Sequence, residues 1–407
     1  MMKNANKYIL LAAIAGIIIG LVIKKFPDSL ILQYVSDISI LAGQIFITTL
    51  KMILVPLVFF SIVNGISNLA SSNKAGTIWR STLLYFAGTM FFAVFIAMIA
   101  MNLFKPGIGV SIDAWQLNEV VTSEALSFKD FIYQFILGLF ENPFSSLANG
   151  KILPLIIFSI LIGIALNEKN KALNSARDFF KSFYEIIFKI VNWIMYIAPF
   201  GIFGLLVNMV VSQNITIFSQ VGIFMLIVIG VILFHGIIFL PTLLFIFNRV
   251  NILSLWKGGR VSFISAFATS SSSATLPITL KASQNNFGAS KDVSNFVLPI
   301  GATMNMDGTA MYEAAAALFI ANLVGLDLGL SQQFVLFFIA MIASIGAPGI
   351  PSAGMVTMAM VLQVLGLPLE ALGILIPMDR LLDTFRTTVN VEGDLVGTLI
   401  IDKLVKD

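Results

Sequence analysis

The 407-residue chain has no cysteine, a single histidine and few charges, 11% in all. Without cysteine there is no disulfide framework, no thiolate metal site and no cysteine nucleophile. One imidazole, His235, excludes His-rich metal chemistry. A net charge of +3 is too small to mark a polyanion binder, so no nucleic-acid partner is expected. Neither a His-Glu-x-x-His pattern nor a Walker-type phosphate loop occurs, which argues against a membrane enzyme and ATP-driven transport. No cofactor is expected. What fills the chain is apolar: 58% hydrophobic residues and a mean hydropathy of +0.96. A soluble globule exposes too much surface to hide that content. The chain is predicted to be an all-α integral membrane protein. At about 20 residues per span plus loops, its length suits one bundle of about eight helices.

Apolar runs lie at 8–23, within 38–70, and at 83–104, 131–140, 152–166, 179–211 and 221–247. Lys3 and Lys7 precede the first run, as in a signal peptide, but nothing after it reads as a soluble secreted domain. Within 179–211, Lys181, Glu185 and Lys189 recur at i+4 spacing, so the first half reads as interfacial. Loops near Lys74 and Arg80, from Lys169 to Lys181 and from Arg249 to Arg260 are basic, whereas 107–127 is acidic through Asp113, Glu119 and Glu124. Alternating these places both termini in the cytoplasm, although Lys24 and Lys25 fall on the wrong side.

After residue 250 the pattern changes. Two clusters of small residues, TSSSSATLP at 269–277 and GAPGIPSAG at 346–354, each interrupt an apolar stretch too short for two full spans. Each reads as a re-entrant hairpin of two half-helices, which is tolerated at membrane depth only when buried in protein or lining a cavity. The plainer alternative is a pair of cytoplasmic loops. Paired broken segments point to a transporter built from inverted repeats.

The segment 373–402 carries Asp379, Asp383, Arg386, Asn390 and Asp394, which fall within roughly an 80° arc of one helix. Each charge at a span centre costs at least about 2.5–3.5 kcal/mol, so the stripe requires a cavity, a partner or ligands. Arg380 falls just outside it and Glu392 on the far side. Arg386 offers a planar fork for a carboxylate, and Asp383 the opposite charge for an ammonium. The hydroxyls of serines 270–273 and the N–H groups of half-helix N-termini add anion donors. One Arg, one Asp and further anion donors match an acidic amino acid, with two carboxylates and one amine. A plain dicarboxylate would leave Asp383 nothing to bind. In the string NMDGT at 305–309, a mid-helix glycine predicts unwinding and free carbonyls beside Asp307, an oxygen environment suited to sodium. Glu313, one turn on and deep in apolar sequence, is a candidate proton carrier unless it is permanently ion-paired or faces the cytoplasm. His235 reads as a packed or interhelical polar residue.

Together these motifs resemble the glutamate/aspartate transporter family, the dicarboxylate/amino acid:cation symporters. The match is strongest over 260–402: the serine-rich tip with ATLP at 274–277, NMDGT, GIP at 349–351, DTFRTTVN at 383–390 and the Gly393-Asp394 pair. LKMILVPL at 50–57 and APFGIF at 198–203 extend it, and Tyr312-Glu313 is similar to the animal excitatory amino-acid transporters. The resemblance implies eight transmembrane helices plus two re-entrant helical hairpins in a homotrimer of the plasma (inner) membrane. It implies scaffold helices over 1–78 and 107–218, and a transport domain over 79–106 and 219–407 that moves as an elevator. It implies that Arg386 and Thr309 hold the substrate side-chain carboxylate, with the Gly354 backbone assisting. Asp383 and Thr387, with carbonyls of Ser270 and Ile350, would hold the amine; Ser272 and Asn390 would hold the α-carboxylate. One sodium would take Asp394 and carbonyls of Gly301, Asn305 and Asn390. A second would take carbonyls of Thr303, Ser344, Ile345 and Ala347. A third would take Asp307, Asn305 and Thr89, and Glu313 would carry a proton. There are two departures. Phe86 and Met90 stand where many members carry a Tyr and a Ser or Thr, and Ser270 and Thr384 stand where a second arginine usually sits. Both bear on ion coupling. The expected activity is import of L-aspartate or L-glutamate with sodium and possibly protons. Its rivals are a C4-dicarboxylate or neutral amino-acid symporter and, from another class, an ion channel, which cannot concentrate its substrate.

Overall fold

The computed structural model describes residues 5–67, 76–109, 133, 136–149, 151–166, 168, 170–212, 216–345, 347, 349 and 353–406. Among these residues every regular element is helical. The acidic loop residues Asp113, Glu119 and Glu124, and Lys74, lie outside them. By length and composition, three described helices suffice to cross a membrane: Leu30–Thr49, Thr77–Phe104 and Ser219–Asn248. A fourth forms if Lys171–Val191 and Tyr196–Asn208, bent by 47°, count as one span. Pro199 sits just past that bend, where it removes an i→i−4 bond.

One group of helices comprises α1 (Ala5–Lys25), α2 (Leu30–Ser67), the short α4 (Pro143–Asn149), α5 (Ile152–Leu166) and α6 (Asn174–Ser212). The helices α1, α2 and α5 pack through α2 and α6. Small residues let the α2 and α6 backbones meet, the usual device of membrane helices. A β-carbon on Gly204 would stand 2.0 Å from the Ser39 carbonyl oxygen, and one on Gly201 would stand 2.3 Å from Cβ of Phe46.

The second group surrounds α12 (Asp307–Leu323), which is buried on every side. A helix apolar all round belongs in a core. The run Ala314–Ala317 keeps it thin enough for neighbours on all faces. Those neighbours are α3 (Gly76–Phe104), α7 (Thr216–Phe234), α13 (Leu330–Ile345), α14 (Ala353–Val364) and α15 (Leu372–Lys406). The 221–247 run, expected as a span, is helical throughout; a π turn at His235–Phe239 joins α7 to α8 (Leu240–Asn248) within it. In that turn the Leu240 N–H returns to the His235 carbonyl. The 379–394 stripe lies, as its spacing predicts, on one continuous helix, α15, with all five polar residues buried.

The chain breaks at both small-residue clusters. Asn251 caps α9 (Ile252–Thr269), which ends at Ser270 in a left-handed conformation, φ 50°. Ser271 then caps α10 (Ser272–Lys281), its Oγ accepting the Ala274 N–H. The helices α9 and α10 pack on each other, as α13 and α14 do across residues 346–352. The unwinding expected at Gly308 falls two residues earlier. The helix α11 (Lys291–Met304) stops before Asn305 and Met306, which are non-helical, and Gly308 lies in the first turn of α12. Its role there is close approach: a β-carbon would stand 2.6 Å from the Arg386 carbonyl oxygen.

Gly204→Val should lower the melting temperature of the detergent-purified protein, because overpacking costs about 1–3 kcal/mol. Gly222→Ala, where a β-carbon meets nothing within 4 Å, should leave it unchanged.

Candidate functional site

The site forms where α15 crosses the break between α11 and α12. Arg386 is fully buried there. Its Nη2 donates to Asp379 Oδ1 at 2.6 Å and to Asp383 Oδ1 at 2.8 Å. Its guanidinium carbon lies 4.1 Å from the centre of the Tyr312 ring, a stacking arrangement that suits arginine. Its Nε and Nη1 have no hydrogen-bond partner among the described residues. A β-carbon on Gly354 would stand 3.1 Å from Nη1, so the start of α14 lies along the fork. The stripe predicted Arg386 and Asp383 as neighbours. It did not single out Asp379 and Tyr312 as the groups that hold the guanidinium in place.

Asn390, one turn beyond, ties α15 to α12. Its Oδ1 accepts the Gly308 N–H at 2.8 Å, and its Nδ2 donates to Thr309 Oγ1 at 3.4 Å. Thr387 is buried on the same face. At the first tip Ser270 and Ser272 are buried, and the Ser270 hydroxyl has no partner among the described residues. The serines do not all point hydroxyls at an open site. Ser271 donates to the Gly349 carbonyl at 2.7 Å, and the Ser273 N–H reaches the same oxygen at 3.1 Å. The two small-residue clusters are thereby stitched together. A glycine is needed at 349, since a β-carbon would stand 2.3 Å from the Ala302 carbonyl oxygen. Ile350 lies outside the described residues.

A second cluster is made of oxygens. Thr89 Oγ1 lies 3.1 Å from Asp307 Oδ1, 3.3 Å from Asn305 Oδ1 and 3.3 Å from the Phe86 carbonyl. One hydroxyl proton cannot serve three acceptors, and a carboxylate, an amide oxygen and a hydroxyl form a donor set suited to a hard cation. The other oxygen of Asp307 is 3.0 Å from His235 Nε2, with both side chains fully buried. The single histidine is thus an interhelical polar residue, and the acidic partner it has was not foreseen. Next to this cluster, Asn305 Nδ2 donates to Asp394 Oδ1 at 3.1 Å. That oxygen is 2.3 Å from where a Gly301 β-carbon would stand, so Gly301, Asn305 and Asp394 converge. Tyr85, one residue from the sequence-aligned Phe86, donates to the Gly393 carbonyl at 3.1 Å.

The remaining predicted ligands sit at helix ends. Thr303 is exposed near the end of α11, and its hydroxyl folds back on the Ile300 carbonyl. Ser344 and Ile345 end α13, and the N–H of Ala347, two residues beyond it, already uses the Ser344 carbonyl at 3.2 Å. Ser344 Oγ donates to the Met341 carbonyl at 2.8 Å and lies 3.5 Å from Met90 Sδ. Glu313 is fully buried. Its Oε1 is hydrogen-bonded to Thr357 Oγ1, which lies 3.2 Å from the Gly354 carbonyl, and its Oε2 has no partner among the described residues. Among the described residues Glu313 makes no ion pair. Thr357 was beyond sequence reasoning, because its contact to Glu313 spans 44 residues.

Comparison with known proteins gives the family. Residues 6–404 match the model of the sodium:dicarboxylate symporter family. The chain is similar to excitatory amino acid transporter 3 of Mus musculus, 32% identical over 98% of this chain and 86% of that protein. It is also similar to the proton/sodium-glutamate symport protein of Geobacillus stearothermophilus, 31% identical over 97% of this chain and 93% of the relative.

Removing one member of a buried ion pair costs about 3–5 kcal/mol, because it strands the other charge. Arg386→Ala should therefore lower the melting temperature markedly. Adding Asp379→Asn to it should recover part of the loss in a double-mutant cycle, read by detergent melting curves.

Proposed function

We propose how this chain works from the premise that it belongs to the sodium:dicarboxylate symporter family, a family of multi-pass membrane transporters rather than enzymes. Sodium is the coupling ion, and the substrate is an acidic amino acid, L-aspartate or L-glutamate. The observation that carries the substrate reading is the Arg386 fork: buried, held on one edge by two carboxylates, and with Nε and Nη1 unpartnered among the described residues. Buried donors left unmade are costly, and each unpartnered N–H can give a charge-assisted bond to a carboxylate oxygen. Arg386, Thr309 and the Gly354 backbone would take the side-chain carboxylate. Asp383 and Thr387, with carbonyls of Ser270 and Ile350, would take the amine. Ser272 and Asn390 would take the α-carboxylate.

Sodium travels as cargo. Thr89, Asn305 and Asp307 would hold one ion, an assignment favoured by their three converging oxygens. Asp394, with carbonyls of Gly301, Asn305 and Asn390, would hold another. Carbonyls of Thr303, Ser344, Ile345 and Ala347 would hold one more beneath the second break. Asn390 would link the two functions, since it braces the α12 N-terminus and is also the residue assigned to the α-carboxylate. An ion that orders the 305–306 break thereby orders Asn390.

Glu313 would carry a proton. A hydrogen-bond inventory supports this: Thr357 has one hydroxyl proton and faces two acceptors, Glu313 Oε1 and the Gly354 carbonyl. When Glu313 is protonated it donates to Thr357, Thr357 donates to Gly354, and both contacts are made. Loss of that proton frees one of them, which couples Glu313 to the backbone beside the substrate fork.

At the scale of the bundle, eight spans and two re-entrant hairpins, α9–α10 and α13–α14, would be arranged as inverted repeats. The segments 1–78 and 107–218 would form a scaffold, and 79–106 with 219–407 an elevator-type transport domain, in a homotrimer of the plasma (inner) membrane with both termini cytoplasmic. The packing supports this division: α3, α7, α13, α14 and α15 gather around α12, α8–α11 pack on α15, and this set meets the other group chiefly through α14 and α15.

Proteoliposomes loaded to impose sodium and proton gradients separately test the reading. Labelled L-aspartate or L-glutamate should accumulate on the sodium gradient, and absence of accumulation would sink it. Asp394→Asn should raise the sodium concentration for half-maximal uptake about tenfold, the loss of one charge-assisted contact. Glu313→Gln should keep sodium-driven uptake and lose proton movement. Continued proton entry with substrate in that variant would remove Glu313 from the role.

A further inference from the structure

Tyr85 is buried where α3 passes α15, and its hydroxyl donates to the Gly393 carbonyl at 3.1 Å, across 308 residues of sequence. The ring has a seat there. A β-carbon on Gly397 would stand 2.4 Å from Tyr85 Cε1, so the ring lies directly on the bare backbone of α15. Gly393 is approached from a second side as well, since a β-carbon there would stand 3.0 Å from Asn305 Nδ2. The Gly393 carbonyl and the Asp394 N–H belong to one planar peptide. Anchoring that carbonyl therefore anchors the backbone that carries the Asp394 carboxylate. Thr89 lies about one turn on from Tyr85 in α3, and residues four apart share a helix face. One face of α3 thus brings Thr89 to Asn305 and Asp307, and Tyr85 to the backbone just before Asp394.

We propose that Tyr85 is a positioning residue for sodium: its hydroxyl holds the Gly393–Asp394 peptide at a fixed distance from Thr89, which keeps the two cation positions on either side of Asn305 at one spacing. The proposal rests on the assignment of Thr89, Asn305 and Asp307 to one ion and of Asp394 to another. Asn305 bridges these positions, with Oδ1 3.3 Å from Thr89 Oγ1 and Nδ2 donating to Asp394 Oδ1 at 3.1 Å. Those contacts use ligand oxygens themselves, so a bound ion competes for them. The Tyr85 bond uses none of the assigned ligand atoms and is compatible with both ions. Its effect is largest before they bind. With no cation between them, the carboxylates of Asp307 and Asp394 act on each other as like charges and are driven apart. A tie between α3 and α15 resists that separation. The ligands then wait near their bound positions, and less ordering is left to be done when sodium arrives. Gly397 serves the same end, because a side chain there would push the ring off α15.

Sodium titrations of labelled L-aspartate uptake into proteoliposomes read this out, for the wild type, Tyr85→Phe and Gly397→Ala. Tyr85→Phe keeps the ring on its seat and removes only the hydroxyl. Its half-saturating sodium concentration should rise about three- to tenfold, the range expected for one hydrogen bond. The half-saturating aspartate concentration at saturating sodium should stay at the wild-type value. Gly397→Ala, which displaces the ring, should raise the sodium requirement in the same direction. Melting curves of the detergent-purified proteins separate positioning from general support. The rise in melting temperature produced by a fixed sodium concentration should shrink in Tyr85→Phe, because the ion binds less tightly. A merely structural role would lower the melting temperature equally with and without sodium and leave the sodium titration unmoved. A sodium titration of Tyr85→Phe that matches the wild type overturns the proposal. Wild-type uptake that needs no sodium overturns the cation assignment itself, a distinct result.

Discussion

A guanidinium buried among apolar helices governs this structure. Arg386 is sealed from bulk solvent where it stands, so the groups around it are placed to compensate its charge. Asp379 and Asp383 must lie on its own helix, one at i−7 and one at i−3, and the Tyr312 ring must come from α12. The backbone of α12 must then pass close enough to bring that ring over, which puts Gly308 against the Arg386 carbonyl. The break at Asn305–Met306 follows, because the chain has to turn into this crossing. With the break come the oxygens of Asn305 and Asp307. One desolvated charge thus helps to position the oxygens that converge at Thr89, Asn305 and Asp307.

Much of this was legible in the sequence, for a physical reason. Polar residues in an apolar chain are expensive, so their spacing on α15 and their clustering at 269–277, 305–309 and 346–354 stand out against a quiet background. The stripe of five on one helix and the helix end at Thr269 could be read from these positions. What could not be read was the pairing across distance. Nothing local marks Thr357 as the partner of Glu313, or Asp307 as the partner of His235. The break in NMDGT was sited at its glycine, since glycine is the weakest helix former, and it lies two residues earlier because Gly308 is required for contact rather than for flexibility. Arg380 was passed over because it sits outside the stripe by angle, although a long side chain reaches across that angle to Asp383.

The small residues do two different jobs. In α12, alanines make a narrow rod that five helices can touch at once, and in α2 and α6, glycines let two backbones cross. At the tips, Gly349 and the serines trade side-chain bulk for backbone hydrogen bonds between segments far apart in sequence. A surface made of such contacts has little apolar area to separate.

The π turn at His235–Phe239 has a further consequence for the long apolar helix that contains it. One extra residue in a single turn rotates everything after it by about 100° relative to an unbroken α-helix. The faces of α7 and α8 are therefore phased independently, although they lie on one rod. His235 is presented to Asp307 at the point where the phase changes, and the segment beyond can offer a different side to its surroundings without disturbing the first. An insertion or deletion elsewhere in this helix would misalign one half with its neighbours. At this turn alone the chain has already absorbed such a change and put it to use.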